Sequence, residues 1–160
     1  MAIEPGFAVD VEVQVVSSSE SVPVSASLQA WVASAMDRER AATLTLRVVD
    51  ETESSELNER YRAASGPTNV LAFPAGDLPP DIGDEPPPLG DIVICAAVVE
   101  REAAEQGKSL DAHWAHICIH GALHLVGFDH EAEDEAKLME AREVEILRSL
   151  GFPDPYIDAS

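Results

Sequence analysis

Basic residues are scarce in this chain. Ten lysines and arginines stand against 30 aspartates and glutamates, which leaves a formal charge of −20. Phosphate contacts normally come from Lys and Arg, so the balance argues against a broad electrostatic grip on a polyanion. It leaves room for a small local site built around one arginine and a metal. Aromatic residues are only 5% of the chain while hydrophobic residues are 46%, so the expected core is aliphatic. Cysteine occurs twice, as Cys95 and Cys118, each inside an apolar run. A free thiol behaves as a small hydrophobe, and two buried thiols are expected, ahead of a disulfide or of Cys118 as a metal ligand. No apolar run approaches the roughly 18 residues of a membrane span. The acidic N-terminus has no apolar segment of signal-peptide type. A cytoplasmic protein with no membrane partner is the expectation. With 160 residues and no internal repeat, the chain reads as a single domain, 1–160.

Histidine is also rare, with five in the chain, yet three of them form a pattern. His120, His124 and His130 follow the spacing H-x-x-x-H-x-x-G-x-x-H. Positions four apart on a helix lie one above the other, so His120 and His124 can grip one cation from the same side. Gly127 is where such a helix should stop, because glycine accepts the left-handed C′ conformation. The chain can then return His130 as a third ligand. Three neutral nitrogens with one open position make a catalytic zinc site in type. The same spacing occurs in metzincin proteases, where Glu, the general base, follows the first His. Here that position is Gly121, so a protease reading keeps its metal and loses its base.

Other residues near this stretch read two ways. His116 lies one helical turn before His120, within reach of the groups behind the ligands or of substrate; the plainer reading, shared by His113, is a partly buried structural histidine. Asp129 either orients a ligand imidazole, as carboxylates beside metal sites do, or serves only its turn. Glu131 reads better as a capping acid than as a base. Arg62, judged by periodicity alone, is a solvated charge on an amphipathic helix.

Alternation of Val9, Val11, Val13 and Val15 with polar residues predicts a half-buried strand. Helical spacing then runs from about Val22 to Arg40. Residues 41–49 read as a second, central strand. Asp50, or Thr52, should cap a helix passing through Leu57, Tyr61 and Arg62 and ending near Ser65-Gly66-Pro67. A short strand is predicted at 69–73. Residues 74–89 are rich in proline and acids and read as an exposed, mobile loop. A last strand at 89–96 precedes a helix at about 97–106, the histidine helix at 109–126 and a final helix at about 133–150. That final helix carries the apolar residues Leu138, Ala141, Val144, Ile146, Leu147 and Leu150. The pattern implies an α+β fold, a mixed sheet of about four strands with about five helices packed on it.

Taken together, LNERYR (57–62), PTNVLAFP (67–74), LGDIVIC (89–95), HWAHICIHGALHLVGFDH (113–130) and DPY (154–156) give the chain its resemblance to the YbeY family of bacterial rRNA maturation factors. The resemblance covers nearly the whole chain, and the histidine motif is its most specific part. It implies a metal-dependent endoribonuclease that cuts single-stranded rRNA in small-subunit 3′-end maturation and ribosome quality control. It further implies one Zn2+ on His120, His124 and His130, with Arg62 facing the scissile phosphate. Ribosomal small-subunit or other assembly proteins would be partners. Two departures from the family pattern stand out: Ser65-Gly66 replace the usual Asp-Lys pair, and Ala72 replaces a serine. Two other functions fit the residues less well, a non-catalytic zinc-braced assembly factor and a protease-like zinc hydrolase without its glutamate.

Overall fold

The computed structural model describes residues 9–36, 41–75, 88–128 and 132–156. Among these residues the order is β1 (Val9–Val15), α1 (Ser25–Ala33), β2 (Ala42–Val49), α2 (Glu51–Arg62), β3 (Val70–Pro74), β4 (Pro88–Cys95), α3 (Ala96–Gln106), α4 (Leu110–Leu125) and α5 (Glu133–Ser149). The strands form one sheet in the order β1-β2-β4-β3. β1 and β4 run parallel to β2, and β3 runs antiparallel to β4. The fold is α+β with a mixed four-stranded sheet, as the sequence implies.

β2 is interior, as its near-continuous apolar content predicts. Its inward residues extend rows across the sheet, for example Val13, Leu46, Ile92 and Ala72 through successive strand pairs. That face packs against α1 and α4 and forms the larger core. The other face carries a smaller cluster of Val49, Leu71 and Val93, with Leu57 of α2 and Phe73 packed against it. Both cysteines are buried free thiols. Burial pushes each thiol's pKa up. Among the described residues no helix is long and apolar enough to cross a membrane.

Several boundaries differ from the sequence reading, each for a physical reason. α1 begins at Ser25 and not near Val22, because a residue preceding proline is pushed toward extended backbone and Pro23 follows Val22; Val24 is the extended N-cap. α1 ends at Ala33, and residues 37–40 of the expected helix lie outside the described residues. Asp50 is the N-cap residue of α2, but its side chain makes no capping bond. Its carboxylate accepts instead from Ser17 Oγ at 2.7 Å, Ser18 N at 3.1 Å and Ser18 Oγ at 3.0 Å. Hydroxyl and amide donors from the β1–α1 connection have displaced the local cap. α2 stops at Arg62, earlier than expected, with Ala63 in the left-handed region. Of the expected loop 74–89, Pro74 closes β3 and Pro88 and Leu89 open β4, prolines being tolerated at strand ends; residues 76–87 lie outside the described residues.

The apolar residues of α5 are not all turned inward. Leu138 is 66% exposed and Ala141 is exposed. The buried stripe is Met139, Glu143, Ile146 and Leu147, spaced i, i+4, i+7, i+8 as on one helical face. A glutamate in the middle of that stripe disguises it in the sequence.

Candidate metal centre

Helix α4 is apolar on nearly every side and buried accordingly. Ser109 caps it, its Oγ accepting from Ala112 N at 3.1 Å. Gly121 lets it settle on the sheet. A Cβ there would stand 2.8 Å from Val70 Cγ2 and 2.9 Å from Ile92 Cγ2, so a side chain would have to push those two aside. The position that carries a protease's glutamate therefore faces the sheet and not the histidines. At the other end Gly127 has φ +106°. Its N–H bonds His124 O at 3.1 Å, and Phe128 N bonds Leu123 O at 3.0 Å. This pair of bonds is the Schellman stop that the glycine predicts.

The four described histidines form a row along one side of α4. Ring centroids are 6.0 Å apart for His113 and His116, 6.1 Å for His116 and His120, and 4.7 Å for His120 and His124. The last pair is the closest, nearer than His116 and His120, which share the same four-residue spacing. His130, Asp129 and Glu131 lie outside the described residues.

The residue that organises this row comes from α5. Glu143 is 0% exposed. Its Oε2 lies 2.6 Å from His120 Nδ1 and its Oε1 lies 3.0 Å from His116 Nε2. Tyr156, in the DPY segment, donates its hydroxyl to the same Oε1 and stands 3.2 Å from His116 Nε2. Burial by itself would push the Glu143 carboxyl up; the hydrogen bonds from His116, His120 and Tyr156 outweigh it and hold the pKa at about 2. Burial, and then the bond to Glu143, push the Tyr156 phenol up, so it remains a donor.

An ionised carboxylate only accepts. His120 therefore donates from Nδ1, which leaves Nε2 as the nitrogen placed to ligate. His116, 8% exposed, turns Nε2 to Glu143 in the same way. His116, His120 and Glu143 bring ligand-type atoms within 4.8 Å of one another, so this part of α4 can hold a metal ion. The 2.6 and 3.0 Å contacts are hydrogen-bond lengths. Two ligands around a tetrahedral zinc at ~2.0–2.1 Å would stand farther apart, at about 3.3 Å. Glu143 is thus placed to orient the histidines from behind. Nothing in the histidine motif names it. The available signal is an acid set inside the apolar stripe of α5.

A second carboxylate serves His113. Its Nε2 is 2.9 Å from Glu102 Oε1, and Glu102 also accepts from Asn69 Nδ2 at 3.2 Å. Burial lowers the His113 pKa, with Glu102 acting in opposition, so this ring stays neutral. Arg62 lies elsewhere, at the end of α2. Its Nη2 donates to Ala72 O of β3 at 2.7 Å, and its Cζ stands 5.7 Å from the Phe73 ring centroid. α4 packs on the same strand, so β3 is the element that Arg62 and the histidine helix share.

Comparison with known proteins finds relatives over most of the chain. A family model described as Endoribonuclease YbeY matches residues 13–151. A protein named Endoribonuclease YbeY from Pseudomonas putida (strain W619) is 56% identical over 144 residues, 89% of this chain and 90% of its own length. One of the same name from Nitrosococcus oceani is 49% identical over 151 residues, 94% of this chain and 98% of its own. A solution structure from Thermotoga maritima aligns with a TM-score of 0.49 and 23% identity, over 87% of this chain and 91% of that one. On the family model and the two long, closely similar relatives, the chain belongs to the YbeY family of endoribonucleases.

Proposed function

We propose that the chain is a metal-dependent endoribonuclease, a hydrolase of RNA phosphodiester bonds, acting on single-stranded rRNA in small-subunit 3′-end maturation in the cytoplasm. Family membership supports the reaction class. The structural observation that supports the metal is the buried Glu143 on His120 Nδ1, which fixes that ring with Nε2 turned to serve as a ligand. His120 and His124 would hold zinc from α4, with His130, on the strength of its spacing, as the third ligand. The ion, when bound, supplies Lewis acidity toward a phosphoryl oxygen.

The chain's own groups do the rest. Glu143 fixes the tautomer and direction of His120, and Tyr156 and His116 in turn hold Glu143. Arg62, anchored through one nitrogen on Ala72 O, offers its remaining N–H groups to the non-bridging oxygens, where negative charge grows in the transition state. A protease is disfavoured because position 121 is a glycine packed against Val70 and Ile92 of the sheet, so the protease's general base is missing there.

Net charge −20 sets how RNA is held. The metal and Arg62 supply a small positive site, and ribosomal or other assembly proteins supply most of the affinity. The test is cleavage of single-stranded RNA by zinc-loaded protein and by Arg62→Ala. The variant should retain its fold and its zinc and lose cleavage by about 100-fold or more, the scale for removing one donor aimed at developing charge. Full cleavage by Arg62→Ala would overturn the role given to that arginine, and cleavage of peptides instead of RNA would overturn the function.

A further inference from the structure

Beside the histidine row lies a trough that the proposed chemistry does not use. Its inner part is a cavity of about 300 Å³ lined by Asn69, Glu102, Lys108, His113, His120 and Tyr156, among others. Its outer part, about 810 Å³, runs along the α3–α4 turn. The two share Gln106, Lys108, Pro155 and Tyr156, so they adjoin, and the inner one reaches His120. The inner part alone reaches the lower end of the ~300–1,000 Å³ range of small-ligand sites.

Its walls have a particular chemistry. The Tyr156 ring is pinned by its hydroxyl on Glu143 and near His116, yet the residue is 46% exposed. That is a rigid aromatic face still available for stacking. Pro155 and Ile117 add apolar surface. The polar groups sit at the edge of this space: the Asn69 amide, already oriented by Glu102, the Gln106 amide and the Lys108 ammonium. Among the described residues Lys108 has no ion pair; Glu102 and Asp154 act on it only from a distance, and burial lowers its pKa. Among the described residues four of six arginines lie within 4.0 Å of an acid, and a half-buried lysine with no such partner is a donor in reserve. Acidic Glu102 and Asp154 beside it make the trough a poor phosphate site. A flat ring with mixed donors and acceptors along its edge suits it better.

We infer that the trough is a nucleobase subsite, in which a base flanking the cleaved bond stacks on Tyr156 and is read by Asn69, Gln106 and Lys108. This rests on the endoribonuclease reading. It adds a source of sequence preference to a site that otherwise sees only phosphate. It also supplies RNA affinity that does not depend on positive charge, since base–aromatic stacking is indifferent to it.

Two experiments on the zinc-loaded full chain test it. In the first, the four ribonucleoside 5′-monophosphates and ribose 5-phosphate are titrated while the His113 and His116 ring resonances are followed. At least one nucleotide should bind about tenfold more tightly than the sugar phosphate, and Lys108→Ala should remove that advantage. Binding of all four no better than ribose 5-phosphate would overturn the subsite. In the second, a random-sequence RNA pool is cut and the ends are sequenced. The Lys108→Ala and Gln106→Ala variants, at unchanged zinc content, should flatten the base preference at one position beside the cut. The same preference in parent and variants would overturn the assignment of the reading groups. If the parent cuts no RNA yet binds nucleotides over ribose 5-phosphate, the nuclease reading has failed and the subsite has not.

Discussion

Replacing Glu143 with glutamine keeps the shape of the side chain and removes its charge. The parent carboxylate accepts from His120, His116 and Tyr156 with no solvent exposure. A hydrogen bond to a charged group contributes about 1.5–3 kcal/mol and a neutral one about 0.5–1.5 kcal/mol. Each of the three bonds therefore weakens by about 1 kcal/mol. The amide also brings N–H groups of its own, so one ring must reverse its tautomer or face a donor with a donor. The consequence for zinc follows from the His120 ring. Losing the partner that orients a ligating histidine typically weakens metal binding by about 10–100-fold, or about 1.4–2.8 kcal/mol. Competition with a chelator of known affinity, at fixed pH, should show this rise in Kd for Glu143→Gln. Glu143→Ala should lose more, because it leaves all three donors without their acceptor. His124→Ala serves as the contrast and should abolish stoichiometric zinc. Unchanged zinc affinity in both Glu143 variants would refute the orienting role. Zinc kept by His124→Ala and lost by His116→Ala would refute it differently, by placing the ion among His116, His120 and Glu143.

Gly121→Ala should destabilise the protein by about 1–3 kcal/mol, the usual cost of overpacking, because the new methyl meets two β-branched side chains at under 3 Å; urea unfolding that leaves stability unchanged would show that α4 does not sit so close to the sheet. Cys95 and Cys118 are buried with raised pKa values, so thiolate is scarce and neither should react with a thiol reagent at pH 8 until the chain unfolds. Rapid labelling of Cys118 in the native state would contradict its place in the core. RNA binding by the bare protein should be weak and depend on zinc, with a shallow salt slope reflecting few phosphate contacts; tight binding with a steep slope would refute shared recognition.

What the sequence made legible was what short-range spacing encodes. The valine alternation marks β1 residue for residue, the His120–His124 repeat places two rings 4.7 Å apart, and Gly127 ends α4 where its backbone freedom is needed. Partners distant in the chain were hidden. Asp50 looks like a cap until Ser17 and Ser18 approach from more than thirty residues away. Glu143 is one of 30 acids, and only the packing of α5 on α4 turns it inward. The apolar residues of α5 alone could not show that a charge belonged in the stripe. Arg62 was visible only by resemblance, because its contacts to Ala72 O and Phe73 depend on β3.

Chain order gives the Glu143 contact a meaning in time. The histidines lie on α4, the carboxylate that orients them lies on α5, and the tyrosine that holds the carboxylate comes at residue 156. A nascent chain that has emerged only through residue 128 carries its histidine helix without Glu143 or Tyr156. The contacts that orient His120 and His116 therefore need residues through Tyr156 to be present before they can form.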